Sequence, residues 1–172
     1  MTIRDFSLGI MRNNCYVISN DFNKACVIID APQNPKAVIE YIKENGLKVS
    51  HILITHNHFD HIDGLDELQE AFNEAEVTQN SVTLGEINIQ SITTPGHTQD
   101  SVCFYIPSEK ILFSGDTLFC ENIGRTDYGG NLEEELASIK DKLFTLPPQV
   151  KVYPGHGEPT NIEHEIKYNP YF

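Results

Sequence analysis

The sequence predicts a β-sheet with helices packed outside it, in an α/β or mixed α+β architecture, and two patterns predict this class. Runs rich in β-branched residues recur along the chain, and segments with apolar residues at helical spacing lie between them. Strands come first and strand–helix alternation follows, an order typical of sheets covered by helices. The chain has 172 residues, and with roughly 100–200 residues per domain we expect one domain over 1–172.

Seven apolar runs are predicted as strands: CYVIS, ACVIID, HILITH, INIQSITT, VCFYI, KILFSG and VKVYPG. Three segments are predicted as helices: NPKAVIEYIKENG, HIDGLDELQEAF and NLEEELASIKDKLF. In the first helix we expect Asn34 as the N-cap and Pro35 in the first helical position. In the third we expect Asn131 as the cap and an apolar stripe formed by Leu132, Leu136, Ile139 and Leu143.

The charge of the chain bears on its partners and location. Lys plus Arg number 12 and Asp plus Glu number 25, so the formal net charge is −13. Such a chain repels phosphate backbones, and we expect no nucleic-acid partner. No run reaches the roughly 18 apolar residues of a membrane span, and the N-terminus has no signal-peptide pattern. We therefore predict a cytoplasmic protein without membrane attachment, and the sequence leaves its oligomeric state open.

The cysteines are far apart and form no CxxC pair. Cys15, Cys26 and Cys103 lie in apolar runs, where cysteine behaves as a small buried hydrophobe. Cys120 lies outside such a run. Disulfides are unusual in the cytoplasm, so we expect free thiols, and the spacing does not favour a metal role for any of the four.

Metal-binding residue types follow four of the predicted strands. The run HILIT leads into THNHFDH, and three later strands end in a glycine followed by histidine or aspartate. Glycine permits a sharp turn, and strand ends are where such folds gather their sites. We therefore expect seven side chains to converge there: His56, His58, Asp60, His61, His97, Asp116 and His156.

The chemistry of these residue types indicates a two-metal site. Imidazole and carboxylate bind zinc or iron, and seven ligands exceed the needs of one tetrahedral ion. Asp116 is the natural bridge, since a carboxylate has two oxygens to share. Metal coordination lowers the pKa of water from about 16 to about 7, so a hydroxide shared by the two ions can be the nucleophile. The chain shows no convincing serine or cysteine nucleophile motif.

Four other polar residues are interpreted as lying outside this site. A lone histidine is more often a surface or core residue than a ligand, and we interpret His51 and His164 in this way. Asp30 and Asp100 are interpreted as turn or capping residues.

The segments THNHFDH, TPGHT, FSGDTLF and YPGHG resemble the metal motifs of the metallo-β-lactamase superfamily. Within it, SGDTLFCENIGRTDYGG and the end PGHGEPTNIEHEIKYNPYF resemble small hydrolases related to glyoxalase II (hydroxyacylglutathione hydrolase), and the resemblance covers nearly the whole chain. It implies an α+β fold, a four-layer αββα sandwich with the site at one edge. It also implies hydrolysis of a thioester such as S-lactoylglutathione, a small-molecule substrate.

The resemblance also implies roles for the seven candidates. His56, His58 and His97 would bind one metal ion. Asp60, His61 and His156 would bind the second, and Asp116 would bridge the two. Asp60 would also orient the hydroxide, which makes Asp60 and Asp116 the expected catalytic residues. Two divalent ions are implied, zinc being the expected metal and iron or manganese the alternatives.

The chain departs from glyoxalase II in two respects. It ends with NPYF at Phe172, so we expect it to lack the extra C-terminal helical domain, and residues 64–95 are short where relatives carry a longer insertion. Both differences weaken the expectation of glutathione specificity and predict an open cleft. Arg125 is a candidate anchor for a substrate carboxylate, and its alternative role is a salt bridge with Asp127.

Two other functions remain open. One is a mononuclear iron persulfide dioxygenase that would use His56, His97 and Asp116. The other is a metal-binding protein, either without turnover or with an ester or lactone as its substrate. Metal count and oxygen uptake separate the dioxygenase from the hydrolase.

Overall fold

The computed structural model describes residues 1–172, which form two compact units, Met1–Asn88 and Ile89–Phe172. Each unit contains a mixed sheet with helices packed against it, and the α+β class is confirmed. None of the helices combines the length and the apolar character that crossing a membrane requires. The single-domain organisation and the cytoplasmic location stay predictions.

The first unit is built on a five-stranded sheet in which the strands lie side by side in the order of the sequence. Its strands are β1 (Thr2–Leu8), β2 (Asn13–Ser19), β3 (Ala25–Ile29), β4 (Lys48–Leu53) and β5 (Glu76–Thr78), and a short strand β6 (Val82–Leu84) follows. The first three strands pair antiparallel, whereas β3, β4 and β5 run parallel. Because parallel strands end at the same edge of a sheet, the residues after β3 and β4 are neighbours.

Three helices belong to this unit: α1 (Lys36–Glu44), α2 (Phe59–Ile62) and α3 (Leu65–Ala71). Val38 and Ile42 of α1 and Leu68 of α3 are fully buried in a core with the apolar side chains of the sheet. The predicted cap at Asn34 is wrong by one residue. Pro35 is the N-cap of α1, and Asn34 has a positive φ of 61° outside the helix.

The predicted helix HIDGLDELQEAF is interrupted at Gly64, and this interruption has a steric cause. The Gly64 N–H donates to the carbonyl oxygen of Ala31 over 2.8 Å. A Cβ at position 64 would collide with the carbonyl oxygen of Pro32. Only glycine permits this approach between the two chain segments. The loop that carries the histidines is thereby packed against the residues that follow β3.

The second unit contains most of β7 (Ile87–Thr93) and all of β8 (Val102–Ile106), β9 (Ile111–Gly115), β10 (Leu118–Phe119), β11 (Asn122–Ile123), β12 (Lys151–Pro154) and β13 (Thr160–Asn161). Its main sheet has the order β13-β12-β9-β8-β7, and β10 and β11 form a separate hairpin. Strands β9 and β12 are parallel, so Asp116 and His156 follow strand ends at one edge. The Gly155 N–H donates to the Gly115 carbonyl oxygen over 2.8 Å and joins the two loops.

Two helices, α4 (Leu132–Ser138) and α5 (Ile162–Tyr168), pack in this unit, and α4 continues as a π-helical turn over Ile139–Leu143. The predicted cap at Asn131 is confirmed, because its side chain accepts from the N–H groups of Glu133 and Glu134. The placement of Leu132 in the apolar stripe is wrong, since this side chain is 46% exposed. Glu135 is fully buried instead, because this face of α4 contacts the loop that carries His97.

Candidate metal centre

The loop after β4 brings three histidine rings of the first unit together. The ring centroids of His56 and His61 lie 4.2 Å apart, and those of His56 and His58 lie 4.8 Å apart. His56 and His61 are buried, while His58 is partly exposed. For each of these pairs, and for Asp60 with His61, the ligand atoms lie within 4.8 Å of each other. Thus the four candidates of this unit form one ligand group.

Asp60 is held in this group by a residue that sequence reasoning missed. The side-chain amide of Asn13, at the start of β2, donates to Oδ2 of Asp60 over 2.9 Å. The same Oδ2 lies 3.8 Å from Nε2 of His61. That separation exceeds a good hydrogen bond and is close to the ~3.3 Å between two ligands of a tetrahedral ion with bonds of ~2 Å.

Asp30 orients the ring of His61 through a hydrogen bond with Nδ1. Its buried carboxylate accepts three bonds: from the N–H of Thr55 (2.8 Å), the hydroxyl of Thr55 (2.9 Å) and Nδ1 of His61 (2.8 Å). A carboxylate on Nδ1 fixes the ring orientation and directs Nε2 toward a metal. The interpretation of Asp30 as a turn or capping residue missed this contact. The available signal was its place directly after a buried strand, as for the other candidates.

The second unit contributes His97, Asp116 and His156. Nε2 of His97 lies 3.8 Å and Nε2 of His156 lies 3.5 Å from the same Oδ2 of Asp116. His97 donates from Nδ1 to the carbonyl oxygen of Arg125 over 2.7 Å, which fixes the direction of Nε2. These separations also suit ligands of a tetrahedral ion, which lie ~3.3 Å apart. The donors are imidazole nitrogens and carboxylate oxygens, so both ligand groups fit divalent metal ions.

A buried carboxylate supports the His97 loop. Oε2 of Glu135 accepts from the backbone N–H of His97 over 2.7 Å. A Cβ at Gly96 would collide with the backbone of Glu135, so the loop requires glycine there. Burial raises the pKa of Glu135 to about 8, and the carboxylate of Asp116 adds to this effect, while backbone N–H donors oppose it. Sequence reasoning missed Glu135, because it lies among the glutamates of NLEEELAS.

We predict that Glu135→Ala weakens both the fold and metal binding. The buried N–H of His97 would lose its acceptor, at a cost of roughly 1–3 kcal/mol in the free energy of unfolding. Loss of such support for a ligand lowers metal affinity about 10–100-fold. Urea unfolding and zinc titration measure the two effects. Glu135→Gln keeps an oxygen acceptor and is the control expected to retain metal affinity. An Ala variant with wild-type metal affinity would contradict this role.

Arg125 is exposed and forms a bidentate salt bridge. Its Nε and Nη2 donate to the two carboxylate oxygens of Asp127 over 2.8 and 2.9 Å. The guanidinium group lowers the pKa of the Asp127 carboxyl. The salt bridge, one of the two roles that the sequence left open for Arg125, is present, and the role as a substrate anchor stays a prediction. The backbone of Arg125 also orients the ring of His97, since its carbonyl oxygen accepts the hydrogen bond from Nδ1 of that histidine.

The family model described as the metallo-β-lactamase superfamily matches residues 8–83 and 78–156. The chain belongs to the metallo-β-lactamase superfamily. Curated relatives include the "Probable metallo-hydrolase YqgX" of Bacillus subtilis, 34% identical over 99% of this chain and 97% of that protein. Another is the "Probable hydroxyacylglutathione hydrolase glo2" of Schizosaccharomyces pombe, 33% identical over 86% of this chain and 65% of that protein.

Solved structures show the same α+β metallo-β-lactamase fold. The B3 metallo-β-lactamase BLEG-1 superposes with a TM-score of 0.91, at 33% identity over 99% of each chain. ETHE1 from Myxococcus xanthus gives a TM-score of 0.89, at 29% identity over 99% of this chain and 84% of its own. The di-iron-bound form of TTHA1623 gives 0.87, at 28% identity over 98% of this chain and 100% of its own. Superfamily membership and the histidine-rich ligand groups imply divalent metals.

Proposed function

We propose that this superfamily member is a metal-dependent thioester hydrolase in which the seven ligand candidates together hold two divalent metal ions. In this proposal His56, His58 and His97 bind one ion, and Asp60, His61 and His156 bind the other. The observation that carries it is the approach of two histidine Nε2 atoms, from separate loops, to one oxygen of Asp116. A carboxylate placed in this way suits a ligand shared by two ions.

The bound ions would supply a hydroxide at neutral pH and polarise the thioester carbonyl. The residues of the chain contribute position and charge. Asn13 fixes Asp60, which in this proposal orients the attacking oxygen. Asp30 and the backbone of Arg125 fix the rings of His61 and His97. Hydrolysis consumes water and gives a carboxylate and a thiol. The leaving thiol has a pKa of about 8.5, so it can depart as thiolate without a strong general acid.

The relative named as a hydroxyacylglutathione hydrolase favours an S-acylglutathione as the substrate. We propose zinc as the metal, with iron and manganese as alternatives, because the ligand types accept all three. The di-iron-bound form of TTHA1623 supports iron as one of these alternatives.

Arg125→Ala tests the proposed substrate anchor. If Arg125 binds a substrate carboxylate, loss of its planar fork should raise KM roughly tenfold while bound metal changes little. Steady-state kinetics and metal analysis measure the two quantities. Asp127→Asn is the control, because it weakens the salt bridge and retains the guanidinium. An unchanged KM in Arg125→Ala would show that Arg125 does not anchor the substrate, and its salt bridge to Asp127 would be its remaining role.

The similarity to ETHE1 favours a second candidate, a mononuclear iron persulfide dioxygenase. It would use His56, His97 and Asp116 and would consume oxygen. The presence of Asp60, His61 and His156 does not exclude it, so measurement has to separate the two reactions. The similarity to BLEG-1 adds a β-lactam to the substrates worth testing.

The experiment reconstitutes metal-free protein separately with zinc, iron and manganese and measures thiol release from S-lactoylglutathione. Oxygen uptake with glutathione persulfide and hydrolysis of a chromogenic β-lactam are followed in parallel. We expect metal-dependent thiol release without oxygen uptake. Oxygen uptake with iron alone would replace the proposal by the dioxygenase. Turnover of the β-lactam alone would replace the thioester as substrate.

A further inference from the structure

A second cluster of metal-binding side chains lies in the second unit and involves none of the seven candidates. Cys120, Glu121 and His164 each offer one ligand atom, and these atoms all lie within 4.8 Å of one another. Nε2 of His164 is 2.9 Å from Oε1 of Glu121. The cluster joins a thiol, a carboxylate and an imidazole, which are three of the ligand types that zinc prefers.

The backbone places these residues together through a tight hairpin. Cys120 and Glu121 form the two-residue turn between β10 and β11, where Phe119 pairs with Asn122. Glu121 has a positive φ of 54°, a conformation that non-glycine residues rarely adopt. The hairpin tip therefore has one defined shape and presents both side chains beside helix α5.

A buried carboxylate fixes the hairpin tip to the helix. Glu165 is fully buried, and its Oε2 accepts from the backbone N–H of Glu121 over 2.9 Å and from the side-chain amide of Asn169 over 2.9 Å. Its other oxygen accepts from the hydroxyl of Thr160. Because Glu165 follows His164 directly on α5, this network sets the spacing between the imidazole and the hairpin residues.

The exposure of Cys120 and the negative charge around it also favour the binding of a cation at this cluster. Cys120 is the exposed cysteine, whereas Cys15, Cys26 and Cys103 are fully buried. Partial desolvation and nearby carboxylates raise the pKa of the Cys120 thiol. The same negative charge attracts a divalent cation, and a bound cation displaces the thiol proton. His164 is interpreted from the sequence as a surface or core residue and not as a ligand, but its neighbours Cys120 and Glu121 are of metal-binding type.

We propose that Cys120, Glu121 and His164 form an accessory zinc site that links the β10–β11 hairpin to helix α5. Three protein ligands leave the fourth tetrahedral position for water. The bound ion would fix the position of the hairpin, which begins at Leu118 shortly after Asp116. The accessory site requires no thioester chemistry, so it stands independently of the proposed reaction.

Cobalt(II) alone is the probe that tests this site. A thiolate ligand gives cobalt a charge-transfer absorption in the near ultraviolet, and the seven-residue set contains no sulfur. We expect metal-free wild-type protein titrated with cobalt to develop this absorption. Cys120→Ser should abolish it and reduce bound metal by one ion per chain, with thiol release from S-lactoylglutathione unchanged. His164→Ala should weaken the cobalt binding that produces it by about tenfold or more.

Matched controls make the result specific. His51→Ala removes a histidine outside both sets, and Glu163→Gln removes an exposed charge of α5, so both should keep the absorption. Absence of the absorption in wild-type protein at saturating cobalt would overturn the proposal, as would its survival in Cys120→Ser. An unchanged cobalt affinity in His164→Ala would overturn the ligand role of His164. These spectra are independent of turnover, so failure here and failure of the proposed reaction are distinguishable.

Discussion

Asp116→Ala should abolish most thioester hydrolysis and most metal binding while the fold persists. Asp116 provides the oxygen that Nε2 of His97 and Nε2 of His156 both approach. Loss of a partner that only supports a ligand costs about 10–100-fold in metal affinity or activity. Removal of the proposed shared ligand should therefore lower kcat/KM by at least about 100-fold. Metal analysis and steady-state kinetics measure these effects.

The fold should tolerate this change because Asp116 follows the end of β9 and lies outside the apolar core of its unit. Circular dichroism and urea unfolding of the metal-free proteins check this point. Asp141→Ala is the matched control, since Asp141 is an exposed aspartate of the same unit. Asp116→Ala with wild-type turnover and full metal content would show that Asp116 is not the bridging ligand.

The second large effect is expected at Asp30. Asp30→Ala removes the acceptor of three buried donors, two on Thr55 and one on His61. Removing one partner of a buried charged network costs about 3–5 kcal/mol, a large share of the 5–15 kcal/mol that stabilises a typical domain. His61 would also lose its orientation, so metal affinity should fall about 10–100-fold. Urea unfolding of metal-free protein separates the first effect from the second.

Thr55→Val is the control for Asp30. It removes the hydroxyl, which donates to Asp30 and also lies 3.1 Å from Nδ1 of His56. It leaves both the backbone N–H bond and the bond from His61 to Asp30. We expect a loss of only about 1 kcal/mol in the free energy of unfolding and a smaller fall in metal affinity than in Asp30→Ala. If Asp30→Ala unfolded at the wild-type urea concentration and bound zinc with wild-type affinity, the orienting role of Asp30 would be refuted.

The ligand candidates could be predicted because the sequence pattern indicates where strands end. A β-branched run followed by glycine and a metal-binding residue identifies both a loop and its chemistry. The parallel pairing of β9 and β12 then explains why Asp116 and His156 lie together. The grouping of His56, His58 and His61 follows from their short separation along one loop.

The supporting carboxylates could not be predicted in the same way. Glu135 looks like one of several helix-surface glutamates, and only the packing of α4 against the His97 loop buries it. Asp30 had the right position after a strand, but its contact with His61 depends on the pairing of β3 with β4. Likewise, the interruption at Gly64 arises from the approach of the Pro32 backbone, which is distant in sequence.

The measurement that tests the central proposal most directly is the number of metal ions bound per chain. It is best made on the Cys120→Ser protein, which lacks the proposed accessory site. Metal-free protein is titrated with zinc under anaerobic conditions, and bound metal is quantified after removal of excess. The proposal predicts two ions per chain, falling to one or none in Asp116→Ala. A single ion per chain, still bound after Asp116→Ala, would contradict the proposed two-metal hydrolase.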